Sequence, residues 1–214
     1  MSNVLLSTGA KNAFSKLGLK DLLDGFVINI YSGTPPVSAD NAESGAKLLT
    51  LTKEGLSWSA DVKQENYFSV TGTGSDGDTI KVTITPSGGS AETFTYTKSS
   101  SESTTDAIAR AIANLISEGS DYMDAMATTE TTESGVILRG KYGGEAFTVN
   151  VVVTGSITVS PSGDLTDVVA ASYGNGLHFE LIPNVSGGTL EKLSGESWKG
   201  TVLASGTAQW FRIQ

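Results

Sequence analysis

Residues 77–98 read GDTIKVTITPSGGSAETFTYTK, and their pattern decides the fold class. Ile80, Val82 and Ile84 alternate with Lys81, Thr83 and Thr85, the period-two signature of a half-buried strand. Pro86-Ser87-Gly88-Gly89-Ser90 is turn chemistry. Glu92–Lys98 pairs back through Phe94 and Tyr96 as a hairpin. After a polar loop, Ser103-Thr104-Thr105-Asp106 resembles a capping box in which Asp replaces the usual Glu. Ile108, Ala111, Ile112, Leu115 and Ile116 then mark one face of a helix that Gly119 ends. Strands follow at Gly135–Arg139 and Ala146–Thr154. The order strand, strand, helix, strand, strand predicts a ββαββ module, with one helix on an antiparallel sheet.

Outward from that module, a helix is expected over Ala10–Asp24, capped by Ser7 or Thr8 and stopped by Gly25. Phe26, Ile28 and Ile30 alternate with Val27, Asn29 and Tyr31 as a strand. Ser32–Pro36 is a turn, and 37–45 an exposed loop. Lys47–Thr52 and Gly55–Ser59 read as short strands. Near the end, Gly176–Ile182 alternates, and Trp198, Val202, Leu203, Trp210, Phe211 and Ile213 supply bulky apolar groups. Neither end has enough strands for a sandwich; together they have six or seven. The expected architecture is therefore mainly β: a discontinuous β-sandwich from 1–68 plus 158–214, with the module inserted at 69–157. Ser69–Gly77 and Gly155–Gly163 are Gly/Ser-rich, as linkers to an insert would be.

Composition excludes much. The 214 residues carry 14 Lys+Arg against 23 Asp+Glu, a net charge of -9, so global attraction to nucleic acid or an anionic membrane is not expected. Cysteine is absent, which removes disulfides, thiolate nucleophiles and cysteine metal sites. A single His excludes a multi-histidine metal centre within one chain. Charged residues are only 17%, glycine numbers 25, and serine and threonine are each about as frequent; this balance favours a β-rich surface or assembly protein over a metabolic enzyme. No apolar run is long enough for a membrane helix, and the start MSNVLLSTGAKNAF lacks the order of a signal peptide. Synthesis and use in the cytosol are expected.

The motifs that carry chemistry elsewhere do so poorly here. Gly72–Gly77 spells G-x-G-x-x-G but leads into a strand, whereas a dinucleotide site needs a helix there. Gly135–Tyr142 approaches a P-loop, but Tyr142 stands where Ser or Thr would hold magnesium. His178 reads as a solvent-facing strand residue beside Glu180, with no nucleophile elbow. Asp76 with Asp78, and Asp121 with Asp124, are loosely paired acids that lack a calcium-loop pattern. Asn184-Val185-Ser186 matches a glycosylation sequon by chance. No catalytic, cofactor-binding or metal-ligating residues are expected, and no cofactor.

Ile30-Tyr31-Ser32-Gly33-Thr34-Pro35-Pro36, followed by Ser38-Ala39-Asp40, Glu43 and Gly45, resembles the opening of a family of small tailed-bacteriophage virion proteins. Trp198-Lys199-Gly200, Ala204–Ala208 and Trp210-Phe211-Arg212 resemble the end of that family. The middle, with Gly77-Asp78-Thr79, Thr104-Thr105 and Gly144–Val149, resembles a β-rich module of phage tail and virion proteins. The resemblance implies a non-enzymatic structural protein in multiple copies at the head surface, neck, collar or tail. Its implied partners are other virion proteins and copies of itself, with no direct nucleic acid and no membrane. Its implied location is the virion, assembled in the host cytoplasm. Tyr31, Pro35, Pro36, Trp198, Trp210, Phe211 and Arg212 are the candidate subunit-interface residues. Two other readings stay open. One is a receptor- or glycan-binding module of a tail tip, expected to lose affinity when exposed Tyr or Trp residues are removed. The other is a virion-borne glycan hydrolase, for which Asp76, Asp78 or Glu180 would be the acids.

Overall fold

The computed structural model describes residues 7–8, 23–130, 133–180 and 191–214. The chain divides into two compact units: residues 62–172 form one, and residues 1–61 with 173–214 form the other. The molecule is mainly β. Its strands are β1 (Ile28–Tyr31), β2 (Lys47–Lys53), β3 (Glu65–Gly72), β4 (Thr79–Pro86), β5 (Glu92–Thr97), β6 (Met123–Glu130), β7 (Glu133–Gly140), β8 (Phe147–Thr154), β9 (Thr158–Ser160), β10 (Gly163–Asp164), β11 (Asp167–Val169), β12 (Trp198–Val202) and β13 (Trp210–Ile213), and helix α1 spans Thr105–Gly119.

The unit of residues 62–172 holds two antiparallel sheets, ordered β10-β8-β4-β5 and β11-β3-β7-β6, with β9 paired to β3. The 77–98 hairpin forms with Ile80 opposite Tyr96 and Val82 opposite Phe94. On β4, Ile80, Val82 and Ile84 are buried and Lys81 is exposed, because alternate side chains point to opposite faces. One apolar core draws on both sheets and on α1. Each fully buried aliphatic side chain in it contributes about 1.5–3 kcal/mol.

Helix α1 begins at Thr104, whose hydroxyl accepts from the Ala107 N–H at 3.1 Å. Asp106 does not close the box; its carboxylate accepts from Ser134 Oγ on β7. The buried stripe is Ile108, Ala109, Ile112, Ala113 and Ile116. Leu115, placed on that stripe by the sequence reading, is exposed, and Ala109 and Ala113 take the inner positions. Gly119 is the last helical residue and Ser120 the cap, its N–H bonded to the Ile116 carbonyl. A Cβ on Gly119 would come within 2.9 Å of the Phe94 ring, so the glycine also admits the hairpin.

The expected order β4, β5, α1, β7, β8 is present, with additions. The sequence reading left out β6 (Met123–Glu130), and it assigned Ser69–Gly77 and Gly155–Gly163 to linkers. Both supposed linkers belong inside this unit. Ser69 and Val70 pair with Ser160 and Val159, Ser69 Oγ donates to the Ser160 carbonyl, and Ile157 is fully buried. Gly and Ser are abundant there because the segments approach closely, not because they are loose. The chain crosses between units at 61/62 and 172/173 rather than at 68/69 and 157/158. Val62 and Ser172 form an antiparallel bridge there, so the two ends of the intervening unit lie side by side.

The other unit holds one antiparallel sheet, ordered β12-β2-β1-β13. Four strands are present among its described residues, where six or seven were expected. Gly55–Ser59 is a loop, and Leu177 and Phe179 make isolated bridges to Phe26 and Lys192 instead of a strand. The helix expected over Ala10–Asp24 lies, apart from its last two residues, outside the described residues, as do Leu181–Leu190 with the sequon. Thr8, offered as a helix cap, donates its N–H and hydroxyl to Asp40.

Candidate functional site

The sheet of the terminal unit joins the two stretches that carry the family resemblance. β1 pairs antiparallel with β13, setting Tyr31 opposite Trp210, Ile30 opposite Phe211, Asn29 opposite Arg212 and Ile28 opposite Ile213. β1 also pairs with β2, and β2 with β12. Residues opposite one another share a face, so each row across the sheet has one chemical character. Val202, Leu49, Ile30 and Phe211 make one row; Gly200, Leu51, Ile28 and Ile213 make the next but one. This face is apolar. The row between them, Thr201, Thr50, Asn29 and Arg212, lies on the other face and is polar.

The seven interface candidates separate onto different surfaces. Tyr31, Trp210 and Arg212 come together on the polar face. The Tyr31 and Trp210 rings stack with centroids 4.2 Å apart, and two cations flank the pair: Lys47 lies 5.7 Å from the Tyr31 ring and Arg212 lies 5.8 Å from that of Trp210. Tyr31 is fully buried. Burial, then the neighbouring Glu43 carboxylate, pushes its phenol above the ordinary range. Glu43 is in turn held low, first by that phenol. Arg212 donates to the Asn41 carbonyl at 2.9 Å. Phe211 projects from the opposite, apolar face and is 61% exposed, with Ile213 at 41% and Val202 at 75%. Pro35 and Pro36 sit in the β1–β2 loop, Pro35 exposed and Pro36 half-buried. Gly45 closes that loop at a φ of 79°, and a Cβ there would meet the Ser32 carbonyl oxygen at 1.9 Å. Trp198 belongs to a separate aromatic cluster with Phe26 and Phe179, each 5.8 Å away and near-perpendicular to its ring. Its indole N–H donates to Glu196.

His178 is a correction. It is not on the solvent face beside Glu180 but wholly buried. Its Nδ1 lies 2.7 Å from Glu196 Oε2 and its Nε2 lies 2.9 Å from Asp61 Oδ1. A neutral imidazole has one N–H, so two carboxylate partners call for the imidazolium. Burial by itself would lower the His178 pKa. The hydrogen bonds that the ring donates to Asp61 and Glu196, and the charges of those carboxylates, outweigh it, and the net shift is upward. Asp61 also accepts from the Gly174 N–H at 2.7 Å, and Glu196 from the His178 N–H at 3.0 Å. Because Asp61 and Gly174 sit at the two chain crossings, this cluster ties both crossing strands to the terminal unit. Both ring nitrogens are engaged by carboxylates, which leaves neither as a general base nor as a metal ligand. No sequence signal announces it, since the three residues are spread over 61, 178 and 196.

The remaining acids have local tasks. Asp78 accepts from the N–H groups of Ser75, Ser156 and Ile157 and from Ser156 Oγ, which brings its pKa down to about 2. It pins the turn between β3 and β4 to the end of β8; the G-x-G-x-x-G match lies in this turn. Asp76 pairs with Lys98 at 2.8 Å. Glu180 accepts from the Ser194 N–H. The near P-loop falls on β7, and Asp121 donates its backbone N–H to Glu92. Among the described residues no group of three or more His, Asp or Glu is placed to hold a metal ion, and no helix is long and apolar enough to cross a membrane.

A cleft of about 490 Å³ opens on the polar face of the terminal sheet, floored by Asn29, Thr50, Thr52 and Thr201 and walled by residues 55–58 and Gln214. Trp58, although it stands beside Leu56 in the sequence, is 58% exposed and lines this cleft.

No protein-family model matches the chain, and no curated protein matches it. Among solved structures, the chain is similar to the D1-D2-D3 domains of the flagellar cap protein of Escherichia coli, at 13% identity and a TM-score of 0.40. That likeness covers 85% of this chain and 57% of the other.

Proposed function

We propose that this chain is a non-enzymatic structural subunit of a tailed-bacteriophage virion, present in multiple copies and held by subunit–subunit contacts at the head surface, neck, collar or tail. The observation that carries the reading is the apolar face of the terminal sheet. Phe211, Ile213 and Val202 are exposed there beside half-buried Ile28, Ile30, Leu49 and Leu51. A row of exposed apolar side chains on a sheet marks a surface that is covered in use. The segments that resemble the phage family supply three of its four strands, β1, β12 and β13. The remaining features agree with the role. An acidic chain of net charge -9 suits a place outside the packaged DNA. The acids and the histidine with legible roles are engaged in holding turns and chain crossings. Repeated copies multiply a modest contact by avidity.

Electron cryo-microscopy of the intact particle tests this. Ordered density for the chain in many copies, with the Phe211 face against a neighbour, is the expected result. Particles that lack the chain would sink the reading.

A further inference from the structure

We infer that the cleft on the polar face of the terminal sheet is a binding site for a neutral polyhydroxyl ligand, of the class of a surface polysaccharide. This goes beyond the structural role and stands whether or not the chain resides on a particle. It uses the face opposite the apolar one.

The chemistry of the lining selects the ligand. Of the side chains of the eleven residues around the cleft, that of Lys47 alone is charged, which is too little to draw in a polyanion and offers a cation no carboxylate side chain. The floor hydroxyls have already spent their protons. Thr50 Oγ1 donates to Asn29 Oδ1 at 2.7 Å, Thr52 Oγ1 to the Leu56 carbonyl at 2.6 Å, and Thr201 Oγ1 to the Gly55 carbonyl at 2.8 Å. At half-buried Thr50 and exposed Thr201 these oxygens still offer lone pairs. Thr52 and Asn29 are buried and brace the floor from beneath, Asn29 by giving an amide N–H to Gln214 at 2.6 Å. An acceptor-rich floor fits a ligand that presents many O–H groups and no net charge.

The wall supplies the second element. Trp58 is 58% exposed, yet its indole N–H is tied to the Gly25 carbonyl at 3.0 Å. With that N–H engaged, the indole has only its apolar faces to offer, the surface on which the C–H side of a pyranose ring stacks. The loop carrying Trp58 is fastened to the floor through Thr52 and Thr201, so the site is formed before any ligand arrives. Preorganisation of this kind limits the entropy lost on binding. A small number of fixed polar groups beside an aromatic wall is the usual make-up of a small-molecule cleft.

The test is retention of the full chain on an array of neutral bacterial polysaccharides and neutral plant and fungal glucans, with anionic polysaccharides alongside. The variants are Trp58→Ala, Trp58→Phe and Thr50→Val. Trp58 is a surface side chain, so its removal should leave folding intact, and near-ultraviolet dichroism checks this. The expected result is retention on at least one neutral polymer with sub-millimolar affinity. Trp58→Ala and Thr50→Val should each weaken it about tenfold or more, and Trp58→Phe should restore most of it. Should Trp58→Ala alter the fold, Thr50→Val decides alone. The inference is overturned if the parent chain is retained on no neutral polymer up to about 1 mM. Retention confined to anionic polymers, or unchanged in the folded variants, overturns it equally.

Discussion

The two units differ in how much of their interior is apolar. The central unit hides an apolar core in which Phe68, Ile80, Ile84, Ile108, Ile112, Ile116 and Leu138 are all essentially inaccessible. In the terminal unit the buried apolar residues among those described are Phe26, Tyr31, Leu48 and Leu177, and they share the interior with Asn29, Thr52, His178 and Glu196. The first interior is held chiefly by the non-directional exclusion of water, with Gln64, Asn66, Ser69, Lys98, Ser120 and Ser134 buried around the apolar core. The second is held by a stacked aromatic pair, an aromatic cluster and an ionic triad, all of which need particular geometry. The comparison teaches where sensitivity resides. Hydrophobic burial scarcely responds to pH, whereas a buried imidazolium between two carboxylates must respond.

All three tryptophans, Trp58, Trp198 and Trp210, lie in the terminal unit, and α1 lies in the central one. Indole fluorescence therefore follows the terminal unit, and hydrogen exchange of the α1 amides follows the central one. The largest effect is expected from His178→Ala, which leaves Asp61 and Glu196 facing each other without the cation between them. Removing one member of a buried ionic group costs about 3–5 kcal/mol. The fluorescence transition should carry that loss; a loss below about 1 kcal/mol would break the assignment of the triad as the anchor of this unit.

Ile112→Ala in the central core should cost about 2–5 kcal/mol through lost burial and the cavity left behind. Here hydrogen exchange of the α1 amides under increasing denaturant is the readout. If this substitution lowered stability in a strongly pH-dependent way, the contrast between the two interiors would fail.

The pH dependence itself comes next. The folded-state pKa of His178 is raised above the ordinary 6.5. Its contribution is complete below that value and is lost as pH rises through the folded value. The fluorescence midpoint in denaturant should therefore fall from pH 6 to pH 9, and His178→Gln should flatten that fall. Asp78 in the central unit has the opposite sign. Its folded pKa of about 2 lies below the ordinary 3.8, so its contribution is present above 3.8 and is lost as pH falls through about 2. Loss of hydrogen-exchange protection in β4 and β8 in acid should thus shrink in Asp78→Asn. An alkaline-stable fluorescence transition would refute the His178 assignment.

A smaller effect is expected at the helix start. Thr104→Ala removes the acceptor for the Ala107 N–H and should cost about 1 kcal/mol, visible in the exchange of the α1 amides and not in the indole fluorescence. The smallest effect on stability is expected from Phe211→Ser, within about 0.5 kcal/mol because the ring is exposed. Its consequence should be in association: copies that assemble through the apolar face should separate, as measured by sedimentation velocity. Unchanged assembly in Phe211→Ser would place the contact elsewhere.

Legibility from sequence followed the same division. The hairpin of β4 and β5, helix α1, and the strands β1, β2, β7 and β8 could be read because each depends on periodicity or capping within a dozen residues; the capping box expected from Ser103 is off by one, since Thr104 is the cap. β6 was missed because Met-Asp-Ala-Met-Ala-Thr-Thr-Glu has little apolar alternation; it is a strand because it pairs along β7 and packs under α1. Ser69–Gly77 and Gly155–Gly163 looked like linkers because small polar residues have two uses, flexibility and close approach, and only the pairing of β3 with β9 distinguishes them. In the candidate site, Trp210 reads as bulky and Tyr31 as an interface candidate by resemblance, but nothing local indicates that they cover each other. Trp58 looked apolar in context and lies at a cleft.

What the sequence by itself determined is the mainly β class, the central hairpin and helix, and the exclusion of cysteine chemistry and multi-histidine metal sites. Those follow from composition and from short-range patterns, which act through local backbone and side-chain preferences. The tertiary structure alone decided which face of the terminal sheet is polar and which apolar, and where the chain crosses between units. It also decided the charge state of His178, whose partners stand 117 and 18 residues away in the chain. The physical reason is the same in each case. Burial and pairing depend on register between distant strands, and a shift of one residue would exchange every side chain between the two faces.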